Sequence, residues 1–274
     1  MKLLQKIIIL LSVGLLLTGC EEVVTADLDT AEPRLVIDAS IDWAKNTAGN
    51  EQKIVLSTST GYYNTEFPTV SGAVVNITNA SNTVFTFVEI PGTGQYVCNN
   101  FLPVIGQTYN LKIILNGQTY TASETLTAVP EIEDNIDQDN NGGDIGDEIE
   151  ITFYYQDDAN QANAYLNSIT QPHTPFPELE VEDDEHTNGN LMQESYSSED
   201  LKAGDQIDIR LYGISKNYYN YMFKLIQASG NDGSPFPTIP SAVRGNIVNQ
   251  TDSKNYAFGY FRLSEMDIKS YTVK

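Results

Sequence analysis

The stretch Asp137-Gln138-Asp139-Asn140-Asn141-Gly142, closed by Glu148, has the residue types and spacing of a cation-binding loop. It fits the pattern D-x-[DN]-x-[DN]-G-x5-E, in which oxygens at alternate positions wrap a hard cation and a glycine permits the sharp turn. Calcium is the ion this chemistry implies, with Asp137, Asp139, Asn141 and Glu148 as ligands. Two departures stand against it: Asp144 occupies the position that is usually apolar, and no amphipathic helix flanks the loop. A plain solvated linker accounts for the same acids. A second cluster, Glu182-Asp183-Asp184-Glu185-His186, offers carboxylates and an imidazole to a transition metal, but a charged loop face explains it equally well. Tyr218, Tyr219, Tyr221 and Phe223 could stack on a sugar or peptide, yet at helical spacing they read as core. Nucleophile elbows, His-Glu-x-x-His and phosphate loops do not occur in the sequence. Cys98 sits in a strand pattern with no basic neighbour to activate it. Acids are abundant, but no pair stands out for glycoside hydrolysis. The chain is therefore expected to be non-enzymatic and, calcium aside, to need no cofactor.

Covalent chemistry of another kind is written at the N-terminus. Lys2 and Lys6 precede an apolar segment of eleven residues, Ile7 to Leu17, and Leu17-Thr18-Gly19-Cys20 ends it. A charged start, a short apolar core and small residues before a cut site describe a secretory signal peptide, residues 1–19, and the segment is too short to span a bilayer. Leu-Thr-Gly-Cys resembles a bacterial lipobox. That resemblance implies cleavage before Cys20 and acylation of its thiol and new amino group with chains such as palmitate. Two or three chains hold a protein stably on a membrane where one holds only marginally. Residues 20–33, with five acids and no base, then form an acidic spacer that self-repulsion extends.

The whole chain carries a net charge of −22, and loss of Lys2 and Lys6 takes the mature form to about −24. Such a charge argues against nucleic acid or anionic headgroups as direct partners. Only two cysteines are present, so with Cys20 acylated no intrachain disulfide can form, and Cys98 reads as a small buried apolar residue.

The elements that would position these groups read as strands. Period-two alternation runs through Leu35–Ile41, Ile54–Thr58, Ser71–Ala80, Val84–Val88, Gln95–Val97, Tyr109–Ile113 and Gln118–Ala122. Asn116-Gly117 between the last two is a hairpin signal. These short strands predict an immunoglobulin-like β-sandwich over residues 34–130. An acidic linker is expected over 131–148. A second β-rich domain follows over 149–274, with strands at Ile149–Tyr155, Ala164–Ile169, Ile207–Leu211 and Tyr256–Leu263. Gln171–Asn190 reads as a polar excursion and Gly230–Pro240 as a loop. Tyr219, Met222, Phe223 and Ile226 fall at helical spacing, predicting one amphipathic helix from about Lys216 to Ser229. The fold class expected is thus mainly β.

Taken as an ordered set, Pro33-Arg34-Leu35-Val36-Ile37, Val70-Ser71-Gly72-Ala73, Gly94-Gln95-Tyr96, Gly106-Gln107-Thr108-Tyr109, Gly117-Gln118-Thr119-Tyr120, Gly245-Asn246-Ile247 and Phe258-Gly259-Tyr260-Phe261 look familiar. The mature chain resembles the Bacteroidota lipoproteins of domain of unknown function 4249, and its first half resembles transthyretin-like and carboxypeptidase-regulatory-like modules. The family resemblance implies a lipid-anchored protein of the outer membrane facing the cell exterior, often beside a TonB-dependent receptor. Glu21-Glu22 after the cysteine is similar to a surface-export signal of that phylum. A ligand-capturing accessory of such a receptor in nutrient uptake is the expected role. The alternatives are a calcium-stiffened envelope adhesin and a carboxylate-based hydrolase. The ligand is unknown.

Overall fold

Leu35–Ala44 (β1) shows how alternation becomes a layer: Ile37, Ala39 and Ile41 are fully buried, while Asp38 faces out. The computed structural model describes residues 32–61, 64, 66–143, 145–229 and 242–274. Among these the fold is mainly β, with fifteen strands and one α-helix. Cys20, the leader, most of the acidic spacer and the expected loop at Gly230–Pro240 lie outside the described residues.

The first sandwich uses β1, Gln52–Thr58 (β2), Val74–Asn79 (β3), Val84–Ile90 (β4), Gln95–Cys98 (β5), Thr108–Leu115 (β6) and Gln118–Thr125 (β7). β4 changes layer along its length, because Val84–Phe87 pair with β3 and Val88–Ile90 with β5. One layer therefore runs β1-β2-β5 and the other β3-β6-β7, with Ile37, Ile54, Tyr96, Phe85 and Leu111 in the core between them. Asn116 and Gly117 both take positive φ, 49° and 74°, as their two-residue hairpin turn requires. Cys98 is buried and unpaired in this core.

The second sandwich uses Ile132–Gly142 (β8), Glu148–Gln156 (β9), Ala164–Thr170 (β10), Glu178–Asp183 (β11), Leu191–Ser198 (β12) and Gln206–Gly213 (β13). A three-stranded antiparallel sheet, β12-β9-β8, faces the layer β11-β10-β13. Ile151, Phe153, Tyr155, Tyr165 and Ile209 pack between them. Val248–Asn249 (β14) returns to the first sandwich and pairs with β7. Phe258–Thr272 (β15) then serves both: Phe258 to Met266 pair in parallel with β1, and Met266 to Thr272 pair antiparallel with β13.

Two expectations are corrected here. Residues 131–148 are not a linker, because β8 occupies Ile132–Gly142 and pairs with β9. As an edge strand β8 buries only Ile132 and leaves most of its side chains to water, so its acids are tolerated there. Nor do residues 34–130 and 149–274 fold apart. Ile247, Ala257, Phe261 and Leu263 belong to the first core, so the second sandwich is an insertion between β7 and β14. Pro33–Lys274 forms one compact unit. The junction is fastened by Glu265, whose carboxylate accepts the Val129 N–H at 3.0 Å and pairs with Lys45 at 3.2 Å.

Lys216–Ser229 (α1) covers the outer face of β10, β11 and β13. Ser215 caps it, its Oγ accepting the Tyr218 N–H at 3.2 Å. The predicted span holds, but the inward face is rotated. Tyr218 and Met222 are the buried residues, while Phe223 is exposed.

Candidate functional site

Alternate residues of β11 present Glu178, Glu180 and Glu182 on one face, opposite the Val181 that packs under α1. The ladder sets them beside Ile169, Asn167 and Tyr165 of β10, in that order. Tyr165 and Ile169 are core residues of the second sandwich, so Asn167 stands in a core position and is only 2% exposed. Across the interior, β12 directs Met192, Glu194 and Tyr196 inward by the same alternation, and Glu194 is 9% exposed. Two polar side chains thus interrupt an otherwise apolar interlayer.

Between them lies a cavity of about 160 Å³, lined by Phe153, Asn167, Glu178, Glu180, Glu194 and Tyr196 among others. It opens where the edge strands β11 and β12 leave the two layers unjoined, and Glu178 and Glu180 are exposed at this mouth. The Tyr155 hydroxyl donates to Glu194 Oε1 at 3.2 Å. Neither Asn167 amide atom completes a well-formed hydrogen bond within the protein, although the amide lies close enough to Glu194 to favour its ionised form. Burial pushes the Glu194 carboxyl up to about 7, the charges of Glu182 and Glu180 push the same way, and the Tyr155 hydroxyl and the neighbouring Asn167 amide pull it back. Burial also raises Glu178 and Glu182.

A buried arginine paired with a half-buried aspartate lies on the outer face of the shared layer. Arg262 of β15 is 5% exposed, places Nη2 2.7 Å from Asp42 Oδ1, and lies over the Tyr212 ring at 4.7 Å. Burial raises the Asp42 carboxyl, against the lowering pull of Arg262.

The structure does not assemble the expected calcium loop. Asp137, Asp139 and Asn141 lie along β8, where alternate residues are about 6.8 Å apart, whereas calcium ligands must come within ~2.3–2.6 Å of one ion. Asp137 instead accepts the Tyr154 hydroxyl at 3.0 Å, and Asp139 accepts the Asn141 N–H at 2.9 Å. Glu148 opens β9 opposite Gly142. Among the described residues no three His, Cys, Asp or Glu side chains converge as a metal site. The Glu182–His186 cluster is likewise dispersed: Asp183 pairs with Lys216, and Asp184 accepts the Asn163 N–H at 2.7 Å. Of the helical aromatics, Tyr218 and Tyr221 pack on Tyr260 at 4.8 and 4.9 Å, while Tyr219 and Phe223 stack near the surface. Cys20 lies outside the described residues. Sequence reasoning missed Asn167 and Glu194. The signal for Glu194 was there, as a charged residue between Met192 and Tyr196 on one alternating face.

Comparison with known proteins places the chain by family rather than by activity. No curated protein matches it. Among solved structures, a two fibronectin type-III domain segment from chicken tenascin gives a TM-score of 0.22 at 14% identity, over 66% of this chain and 90% of that one. A cytokine receptor complex gives 0.25 at 8% identity, over 68% and 86%. The FN1–FN3 domains of chicken CNTN1 give 0.22 at 11%, over 60% and 56%. Residues 21–269 match the family described as Domain of unknown function (DUF4249), and the chain belongs to that family.

Proposed function

We propose that this chain is a non-enzymatic, lipid-anchored protein of the outer membrane that faces the cell exterior and captures a ligand for a TonB-dependent receptor in nutrient uptake. The observation that carries the capture role is the cavity between β11 and β12. A sandwich serving only as a spacer has no use for Asn167 and Glu194 in core positions, because an amide without well-formed hydrogen bonds and a carboxylate buried among other acids both destabilise it. Cys20 and the acidic spacer support the anchored location, since acyl chains at Cys20 leave the folded unit in water. Pull-down of the tagged protein from its native membrane tests the partnership. A β-barrel receptor recovered in stoichiometric amount supports it, and its absence after gentle solubilisation overturns it.

A carboxylate-based hydrolase is the second reading, and one observation favours it. Glu194 is held near 7 beside the carboxylates of Glu178 and Glu180, as a general acid beside a base would be. Turnover of aryl glycosides that Glu194→Gln abolishes would establish it, and no turnover by the intact protein would remove it.

A further inference from the structure

We infer that the cavity between β11 and β12 binds a small amino alcohol, a molecule carrying a primary ammonium group with a hydroxyl a few atoms away. This deepens the capture reading by naming the chemical class of its ligand.

Charge excludes an anion. Three carboxylates, Glu178, Glu180 and Glu194, line a space with no basic residue in its wall. Geometry argues against a bare metal ion, since these acids do not converge on one point. An extended organic cation can meet carboxylates that a single ion cannot. The walls suit an ammonium in particular. Its three N–H donors match carboxylate and amide oxygens, and two aromatic rings, Phe153 and Tyr196, stand in the wall.

Asn167 supplies the second requirement. Its side chain is buried, lines the cavity and completes no well-formed hydrogen bond within the protein. An amide is satisfied only by a partner that donates to its oxygen and accepts from its nitrogen. An ammonium provides the donor, and a hydroxyl provides the acceptor. Core neighbours hold Asn167 in place: Leu211 flanks it across β13, and Tyr165 and Ile169 flank it along β10. It can be met only by what enters the cavity. About 160 Å³ accommodates a molecule of a few heavy atoms and does not admit a folded partner.

The test uses the full mature lipoprotein in detergent, titrated with ethanolamine by calorimetry at pH 8, with the Asn167 side-chain amide followed by NMR. Ethylene glycol, the neutral analogue, and calcium chloride are run in parallel. Saturable ethanolamine binding that moves the Asn167 amide, with ethylene glycol at least tenfold weaker, supports the inference. So does a tenfold or greater loss of binding in Glu194→Gln and in Asn167→Leu, each still melting cooperatively, with Asp137→Asn on β8 unchanged. Equal binding of ethylene glycol, binding that survives Glu194→Gln, or an Asn167 amide that responds only to calcium overturns it. The two readings fail separately. A receptor that co-purifies with a protein indifferent to ethanolamine removes the ligand class alone, whereas ethanolamine binding without a receptor removes the partnership alone.

Discussion

Replacing Glu194 by Gln should make the protein more stable in alkaline solution and leave it unchanged in acid. Glu194 is held at about 7, against 4.5 for an ordinary glutamate, so the folded protein keeps a proton there that the unfolded chain has given up. Below 4.5 both states are protonated and the group contributes no penalty. Between 4.5 and 7 the penalty grows, and above 7 it is complete. The displacement corresponds to roughly 3 kcal/mol, since each pH unit is about 1.4 kcal/mol. Gln keeps the shape and an oxygen to accept from the Tyr155 hydroxyl, but it carries no charge to desolvate. Urea unfolding at pH 4.5, 6 and 8 reads the effect. With a denaturant slope of about 1–3 kcal/mol per molar, the Gln variant's midpoint should lie roughly 1 M or more above that of the unsubstituted protein at pH 8. The two midpoints should coincide at pH 4.5. A Gln variant that is weaker at pH 8, or that differs by the same amount at every pH, would refute the claim that Glu194 is buried against its charge.

Four further outcomes are expected. Cys20→Ser should move the protein from the membrane to the soluble fraction, and retention on membranes after a salt wash would dismiss acylation at that residue. Gly259→Ala should destabilise the fold by about 1–3 kcal/mol through its backbone conformation, with the clash adding to that. Gly259 sits at φ 96°, and a Cβ there would lie 2.0 Å from the Ile37 carbonyl oxygen; an unchanged melting midpoint would sink the reasoning. Asp42→Ala should cost about 3–5 kcal/mol by leaving Arg262 buried without its carboxylate, and denaturant titration checks this. EDTA and millimolar calcium should give the same melting midpoint, because Asp137 already has a partner on β9 and Asp139 one on β8; a rise with calcium accompanied by heat on titration would restore the wrapped loop.

What could be read from the sequence was whatever depends on neighbours in the chain. Ile149, Ile151, Phe153 and Tyr155 alternate, and they form one strand. Asn116-Gly117 makes its turn without outside help. The helical spacing of Tyr219, Met222, Phe223 and Ile226 gives the span of α1. β8 escaped notice because an edge strand needs only backbone pairing on one side, and its Asp and Asn residues imitate a solvated linker or a calcium loop. β11 and β12 escaped for a related reason. Glu178, Glu180 and Glu194 alternate with other residues as an outward face would, whereas the register with Asn167 and Phe153 turns them inward. That register is long-range, and so is the double pairing of β15 with β1 and β13. Local pattern shows that a strand exists but leaves its partners open. The cavity was therefore the least legible part of the chain.

β1 acquires a mechanical role from its place in the ladder. Drag on a body held by the segment before Leu35 is delivered to this strand first. β1 is gripped on both sides, by nine residue pairs with β15 and four with β2. A pull along the strand loads those ladders in shear, so their hydrogen bonds resist together instead of opening in turn. β15, β13 and β10 stand between β1 and β11 in the sheet. Were the chain held by acyl groups at Cys20, as proposed, tension would enter at β1 and meet its two ladders before the strands that shape the cavity.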